Sequence, residues 1–242
     1  MVLKMANSSF YGFLSKVSSI EHALNLLGLN EIRCIVLASS VHRFFSNGRK
    51  GCFDRTLFWK HGIICSQVAK YLGNHFKVGN DDSVFLAGLI HDLGKVILDK
   101  YFNDEFIGVI DLIASYHHTF SRAEKEVLGT THYHIAAKLL KQWKFPPKVI
   151  MQVFYHHAPW CDKNYSASSI MVYLANILTK LSGYCCHPDE KEIDPLEWAR
   201  SPEIGFVVKS GFDLDYETLK KLIARLQEFI MEESDNMLRL FE

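Results

Sequence analysis

Apolar residues recur at three- and four-residue intervals along most of this chain, and the strict alternation of a half-buried strand is hard to find. The pattern predicts an all-α protein. Phe10–Val17 reads as a loop, after which Ser18-Ser19-Ile20-Glu21 offers a capping box with Ser18 as N-cap and Glu21 at N3. That helix carries Ala23, Leu24 and Leu27 and stops at Gly28. Asn30 can cap the next helix, whose apolar residues include Ile32, Ile35, Val36 and Val41. Further helices are predicted over Leu57–Leu72, from Asp81-Asp82-Ser83 through the segment containing His91-Asp92, and over Phe102–His118, Ser121–Leu128 and Thr131–Trp143. Phe145-Pro146-Pro147 closes the last of these, and Pro147 suits the first turn of a helix over Lys148–His156. Ser166–Leu181 follows, with Ile170, Leu174, Ile177, Leu178 and Leu181 on one stripe.

Pro188-Asp189-Glu190-Lys191 is polar and turn-prone, and marks a boundary near residue 185. The expected organisation is a helical domain over 1–185 and a helical extension over 186–242 that packs on it. Within the extension, Tyr216–Phe241 is a long amphipathic helix, suited to packing on the main domain or to docking a partner or a second copy of the chain.

Composition narrows the class. The chain has 242 residues, 48% hydrophobic, enough for one substantial core. Lys and Arg total 27 and Asp and Glu total 27, so electrostatically driven, sequence-independent binding to nucleic acid is not expected. No apolar run approaches membrane-spanning length and no signal-peptide pattern opens the chain, so a cytoplasmic location is expected. Six scattered cysteines without CxxC spacing read as reduced thiols.

The chemistry concentrates in Gly88-Leu89-Ile90-His91-Asp92-Leu93-Gly94-Lys95. A carboxylate amid aliphatic residues needs a partner, and a metal cation is an obvious one. His61, His132, the pair His156-His157, and Asn176 fall on other predicted helices that one bundle core can aim at a common point. Lys95 lies one turn beyond the His-Asp pair, where it can sit over the open side of a site and meet an anion. Imidazole with carboxylate suits Fe, Mn, Zn or Ni, and the absence of cysteine argues against a structural zinc site. An isolated helix histidine is ordinarily a hydrogen-bonded core or surface residue, and His22, His42, His75, His117, His118, His134 and His187 are read that way.

These residues resemble the signature of the HD superfamily of metal-dependent phosphohydrolases, and more closely the HDOD domain of bacterial signalling proteins. The resemblance rests on the His91-Asp92 segment together with Leu3–Gly12, Ser19–Ala23, Leu27-Gly28-Leu29, Trp59-Lys60-His61, Glu126–Gly129 with Thr131-His132, and Tyr155-His156-His157. It spans residues 1 to about 182 and implies an HD-superfamily helical bundle. It also implies that helices usual to the family before Leu3 are missing here. By position, His61, His91, Asp92, His132, His156 and His157 match the ligands of one or two divalent ions. Asn176 falls where the last carboxylate ligand is expected, and Lys95 matches a lysine that contacts phosphate, giving Lys95 and Asp92 as catalytic candidates.

Two departures bear on activity: Asn176 is a neutral amide, and the Gly-Tyr-Pro motif of related cyclic-dinucleotide phosphodiesterases is replaced by Ala158-Pro159-Trp160. The resemblance therefore implies a signal-transduction module with an HD-type metal site, acting on a signalling protein or a nucleotide ligand. The alternative is an active metal-dependent phosphohydrolase. A homodimer through the C-terminal helix is compatible with either.

Overall fold

The computed structural model describes residues 3, 7, 16–29, 32, 36, 40, 53–78, 82–190 and 193–238. The predicted helix capped by Asn30 lies largely outside them, as do Cys34 and Cys52. All regular structure among the described residues is helical. The elements are α1 (20–29), α2 (Arg55–His75), α3 (Asp82–Ile90), α4 (Leu93–Tyr101), α5 (Asn103–Tyr116), α6 (Phe120–Leu128), α7 (His132–Gln142) and α8 (Pro147–Tyr155). A 3-10 turn (Pro159–Cys161) leads to α9 (Ser166–Leu181), α10 (Pro195–Ala199), α11 (Pro202–Lys209) and α12 (Tyr216–Leu238).

Local chemistry explains most boundaries. The Asp54 carboxylate accepts from the Thr56 and Leu57 N–H groups and starts α2 two residues before the first predicted position. The α1 cap is Ser19 rather than Ser18: Ser19 Oγ accepts the His22 N–H at 3.0 Å, a register one residue later than the capping-box reading. Gly28 and Gly129, at φ 80° and 67°, take the left-handed conformation at the ends of α1 and α6.

The largest departure from the sequence pattern is at His91-Asp92. The apolar run from Val84 to Leu98 reads as one helix, but α3 ends at Ile90, the pair forms a turn, and α4 begins at Leu93. Two glycines explain the close packing around this break. A Cβ on Gly88 would lie 2.9 Å from Ser66 Cα of α2, and one on Gly94 would lie 1.9 Å from the His132 carbonyl oxygen. The break thus lies where α3 presses on α2 and α4 presses on the start of α7.

Helix α2 is the central element. It packs against α3 and α9, and α12 also lies against it; α4 meets α7, and α8 meets α3, α7 and α9. Val68, Ala69, Leu72, Leu93, Val96, Leu174 and Leu178 are fully or almost fully buried in one continuous core. Trp198, Val207, Leu219, Leu222, Leu226 and Ile230 from the C-terminal segments join the same core. Burying each such side chain contributes about 1.5–3 kcal/mol relative to exposure. No described helix is long and apolar enough to cross a membrane. Cys65, Cys161, Cys185 and Cys186 form no disulfide.

Candidate metal centre

Four segments meet at Asp92. His61 comes from the middle of α2, His91 and Asp92 from the α3–α4 break, His132 from the first residue of α7, and His156 and His157 from the C-terminal end of α8. His61, His91, His132 and His156 are fully buried, Asp92 is 2% exposed, and His157 is half-buried.

The carboxylate divides the donors into two groups. Oδ2 faces His91 Nε2 at 3.4 Å and His61 Nε2 at 3.9 Å. Oδ1 faces His132 Nε2 at 3.1 Å and His156 Nε2 at 3.6 Å. His61 and His91 Nε2 are 3.3 Å apart, His132 and His156 Nε2 3.4 Å, and His132 and His157 Nε2 3.2 Å. One group is His61, His91 and Asp92; the other is Asp92, His132, His156 and His157. A tetrahedron with metal–nitrogen bonds of about 2.05 Å has edges of about 3.3 Å, so these separations suit nitrogens sharing an ion.

Hydrogen bonds fix which ring nitrogen faces inward. Nδ1 of His61 donates to the Tyr184 carbonyl, Nδ1 of His91 to Gly88, and Nδ1 of His156 to Val153, each at 2.7 Å. His132 Nδ1 donates to Glu124 Oε2 at 2.7 Å, and Glu124 also accepts the His132 backbone N–H at 2.9 Å. A carbonyl can only accept, so Nδ1 carries the proton in each case and Nε2 is turned toward Asp92. Outer acceptors of this kind orient histidine ligands in metal sites. Asp92 Oδ1 has no hydrogen bond of regular geometry although ring nitrogens surround it, which is the situation a cation resolves. The donor set and the orphaned oxygen both fit a divalent metal.

The electrostatics follow from crowding. Burial and the neighbouring His91 push His61 down to about 3, and burial does the same to His156. His157 is driven down by burial and by His156. Burial also disfavours protonation of His91, but Asp92 and Cys65 outweigh it and lift His91 to about 10. His132 is likewise raised against burial by Glu124 and Asp92. Burial would raise Asp92, yet His91 and Lys95 hold it well below the usual carboxylate range. In the metal-free cluster the imidazolium form is thus favoured on one histidine of each group, His91 and His132, and disfavoured on the others.

Lys95 departs from the open-side position suggested by its spacing. It is 1% exposed: Nζ donates to Asp92 Oδ2 at 2.7 Å and to Cys186 Sγ at 3.1 Å, and lies 4.0 Å from the centre of the Phe120 ring. The segment after α9 closes over it. Asn176 is buried on α9 with its amide oxygen unpartnered, one turn before Lys180, whose charge acts on His61 and Asp92. The histidines set aside on sequence grounds have other roles: His134 pairs with Thr131 Oγ1 at 2.7 Å, and His187 stacks on Phe53 with ring centres 6.3 Å apart.

Four contributing residues escaped the sequence reading: Glu124, Lys180, Cys186 and Glu190. Glu124 sits among charged neighbours in Ser121-Arg122-Ala123-Glu124-Lys125-Glu126, and the available signal was its i+4 spacing from Phe120 on the buried face.

An all-helical bundle with a His/Asp cluster at a helix break defines the class, and sequence comparison agrees. The chain belongs to the HDOD domain family, whose family model matches residues 1–159. An HDOD domain protein of unknown function from Geobacter sulfurreducens superposes with a TM-score of 0.81 at 27% identity, over 98% of this chain and 79% of that one. A candidate phosphohydrolase from Shewanella amazonensis SB2B gives 0.73 at 21% identity, over 100% and 81%. A candidate signal transduction protein from Marinobacter aquaeolei VT8 gives 0.70 at 24% identity, over 98% and 51%. The latter two likenesses are of fold. No curated protein matches the chain.

Proposed function

We propose that the chain is a regulatory HDOD module of bacterial signal transduction whose His61, His91, Asp92, His132, His156 and His157 hold one or two divalent ions in a sensory or structural role. The observation that carries this reading is a ligand-ready cluster that is enclosed. Its inward nitrogens are set by outer hydrogen bonds, while its lysine is already bonded to Asp92 and Cys186. A phosphodiesterase needs an open coordination position and a cation free to meet the substrate. Here Lys95 is buried, and Asn176 offers an amide that cannot act as a base. Metal-loaded protein screened against phosphodiesters and nucleotides is expected to retain metal and show no turnover; metal-dependent hydrolysis would overturn the regulatory reading.

The second reading, a metal-dependent phosphohydrolase, draws on His157, which is only half-buried and gives the His132 side of the cluster its most accessible ligand. A bound divalent ion would supply Lewis acidity and an ionisable water near neutral pH. In that reading Asp92 holds the ion, Glu124 keeps His132 oriented, and Lys95 holds positive charge beside the Asp92 carboxylate.

A further inference from the structure

A line of polar contacts runs outward from the cluster through residues that metal binding does not use. Lys95 Nζ donates to Asp92 and to Cys186 Sγ; the Cys186 thiol donates to Glu190 Oε2 at 3.4 Å; and Glu190 Oε1 accepts from Lys180 Nζ in an ion pair. Lys180 and Glu190 line a cleft of about 600 Å³, with Leu57, Leu181, Pro188 and Ile193 supplying apolar surface. That volume lies within the usual range for small-ligand sites. The two charged side chains are only 9% and 7% exposed, so their charges are poorly screened and the pair is built into the wall.

The residues in this line alternate in charge: Asp92 negative, Lys95 positive, Glu190 negative, Lys180 positive. Asp92 already serves Lys95, so Glu190 is chiefly the counter-charge of Lys180. Burial opposes ionisation of Glu190, but Lys180 and Lys95 hold its carboxyl down at about 2. A carboxylate held by lysines on the wall of a ligand-sized cleft stands where an external anion would stand. A phosphoryl dianion brings more charge to that position than the carboxylate, and lysine serves readily as its point-charge partner. The aliphatic wall suits the organic part of the same ligand.

We infer that this cleft binds the phosphoryl group of a nucleotide-sized ligand, with Lys180 as the anchoring cation and Glu190 as the internal anion that the ligand displaces. Displacement also removes the acceptor of the Cys186 thiol and so reaches Lys95 and Asp92. Only this last consequence rests on the regulatory reading of the metal centre.

The test is calorimetric titration of the full chain with adenosine 5′-monophosphate as the probe and adenosine as the uncharged control. Glu190→Gln should bind the monophosphate at least tenfold more tightly than wild type. Lys180→Met should abolish binding, and adenosine should bind none of the proteins detectably. The double variant Lys180→Met/Glu190→Gln leaves no charge unpaired and controls for folding; it should melt cooperatively and not bind. If Glu190→Gln is too unstable to titrate, the rise in its melting temperature with monophosphate should exceed that of wild type. Equal affinity in wild type and Glu190→Gln, or undiminished binding by Lys180→Met, would overturn the inference. Metal content measured on the same samples separates the two ideas: a metal-free wild type would sink the metal reading while leaving the cleft result to stand or fall alone.

Discussion

Replacing Glu124 with glutamine isolates the outer support of the metal centre without touching a ligand. Glu124 is fully buried, and its Oε2 receives both the His132 backbone N–H at 2.9 Å and Nδ1–H at 2.7 Å, with Oε1 a further 2.9 Å from Nδ1. In Glu124→Gln one oxygen can still accept, but the new NH₂ group faces Nδ1–H, donor against donor, and the negative charge is lost. A hydrogen bond to a charged group contributes about 1.5–3 kcal/mol against 0.5–1.5 for a neutral one. The expected loss is about 1–2 kcal/mol of His132 orientation, or about tenfold in metal affinity, at the lower end of the range seen for outer-ligand changes. Competition against a chromophoric chelator, with zinc and with manganese, measures it. Glu126→Gln is the control, because Glu126 lies two residues on, is exposed, and faces His118 Nε2 at 3.8 Å rather than the cluster. Unchanged affinity in Glu124→Gln, or an equal loss in Glu126→Gln, would refute the view that Glu124 sets the ligand.

Other outcomes follow from the same geometry. Gly94→Ala puts a methyl 1.9 Å from the His132 carbonyl oxygen, so α4 and α7 must part by roughly 1 Å; about 1–3 kcal/mol of stability and much of the metal affinity should go, read by denaturant melts and metal content, and a wild-type melt would contradict this. His61 and His156, held at about 3, favour the folded metal-free protein fully above 6.5, and this contribution is lost as pH falls toward 3; Glu190, lowered from 4.5 to about 2, adds to it over 4.5 to 2. His91, raised to about 10, acts oppositely, contributing below 6.5 and losing its effect as pH rises through 10. Melting temperature of metal-free protein should therefore fall on acidification from pH 6.5, and a flat profile down to pH 4 would count against the buried cluster. Because His91 and His132 are raised and carry protons before loading, metal binding should release protons and tighten with rising pH, as calorimetry in buffers of different ionisation enthalpy would register. Asn176→Asp should lower the melting temperature in chelator and recover it with added metal; recovery equal to that of wild type would place residue 176 outside the centre.

Much of the fold was legible because its helices bury stripes with a regular period: Ser166–Leu181 was bounded correctly from its pattern and Pro147 marked the start of α8. The α3–α4 break was not, since both halves are apolar and hydrophobicity alone carries no signal of a turn. Gly88 and Gly94 were the sign, and their meaning depends on Ser66 and His132 from other helices. The His/Asp set was visible because ligand residue types are rare on apolar faces. Its supports were not, because Cys186 and Glu190 sit in a stretch that composition marks as a turn-prone boundary, and their burial arises only when that stretch folds back onto Lys95 and Lys180.

Asp92, shared by two groups of histidines, is the residue on which metal binding turns. Elemental analysis of protein purified without chelator and reconstituted with manganese, iron or zinc tests it most directly, with Asp92→Asn alongside and circular dichroism confirming that both are helical. Wild type should hold one to two equivalents of divalent metal, and Asp92→Asn should lose most of it. Wild-type protein that stays metal-free after reconstitution, or Asp92→Asn protein with the same metal content, would contradict it.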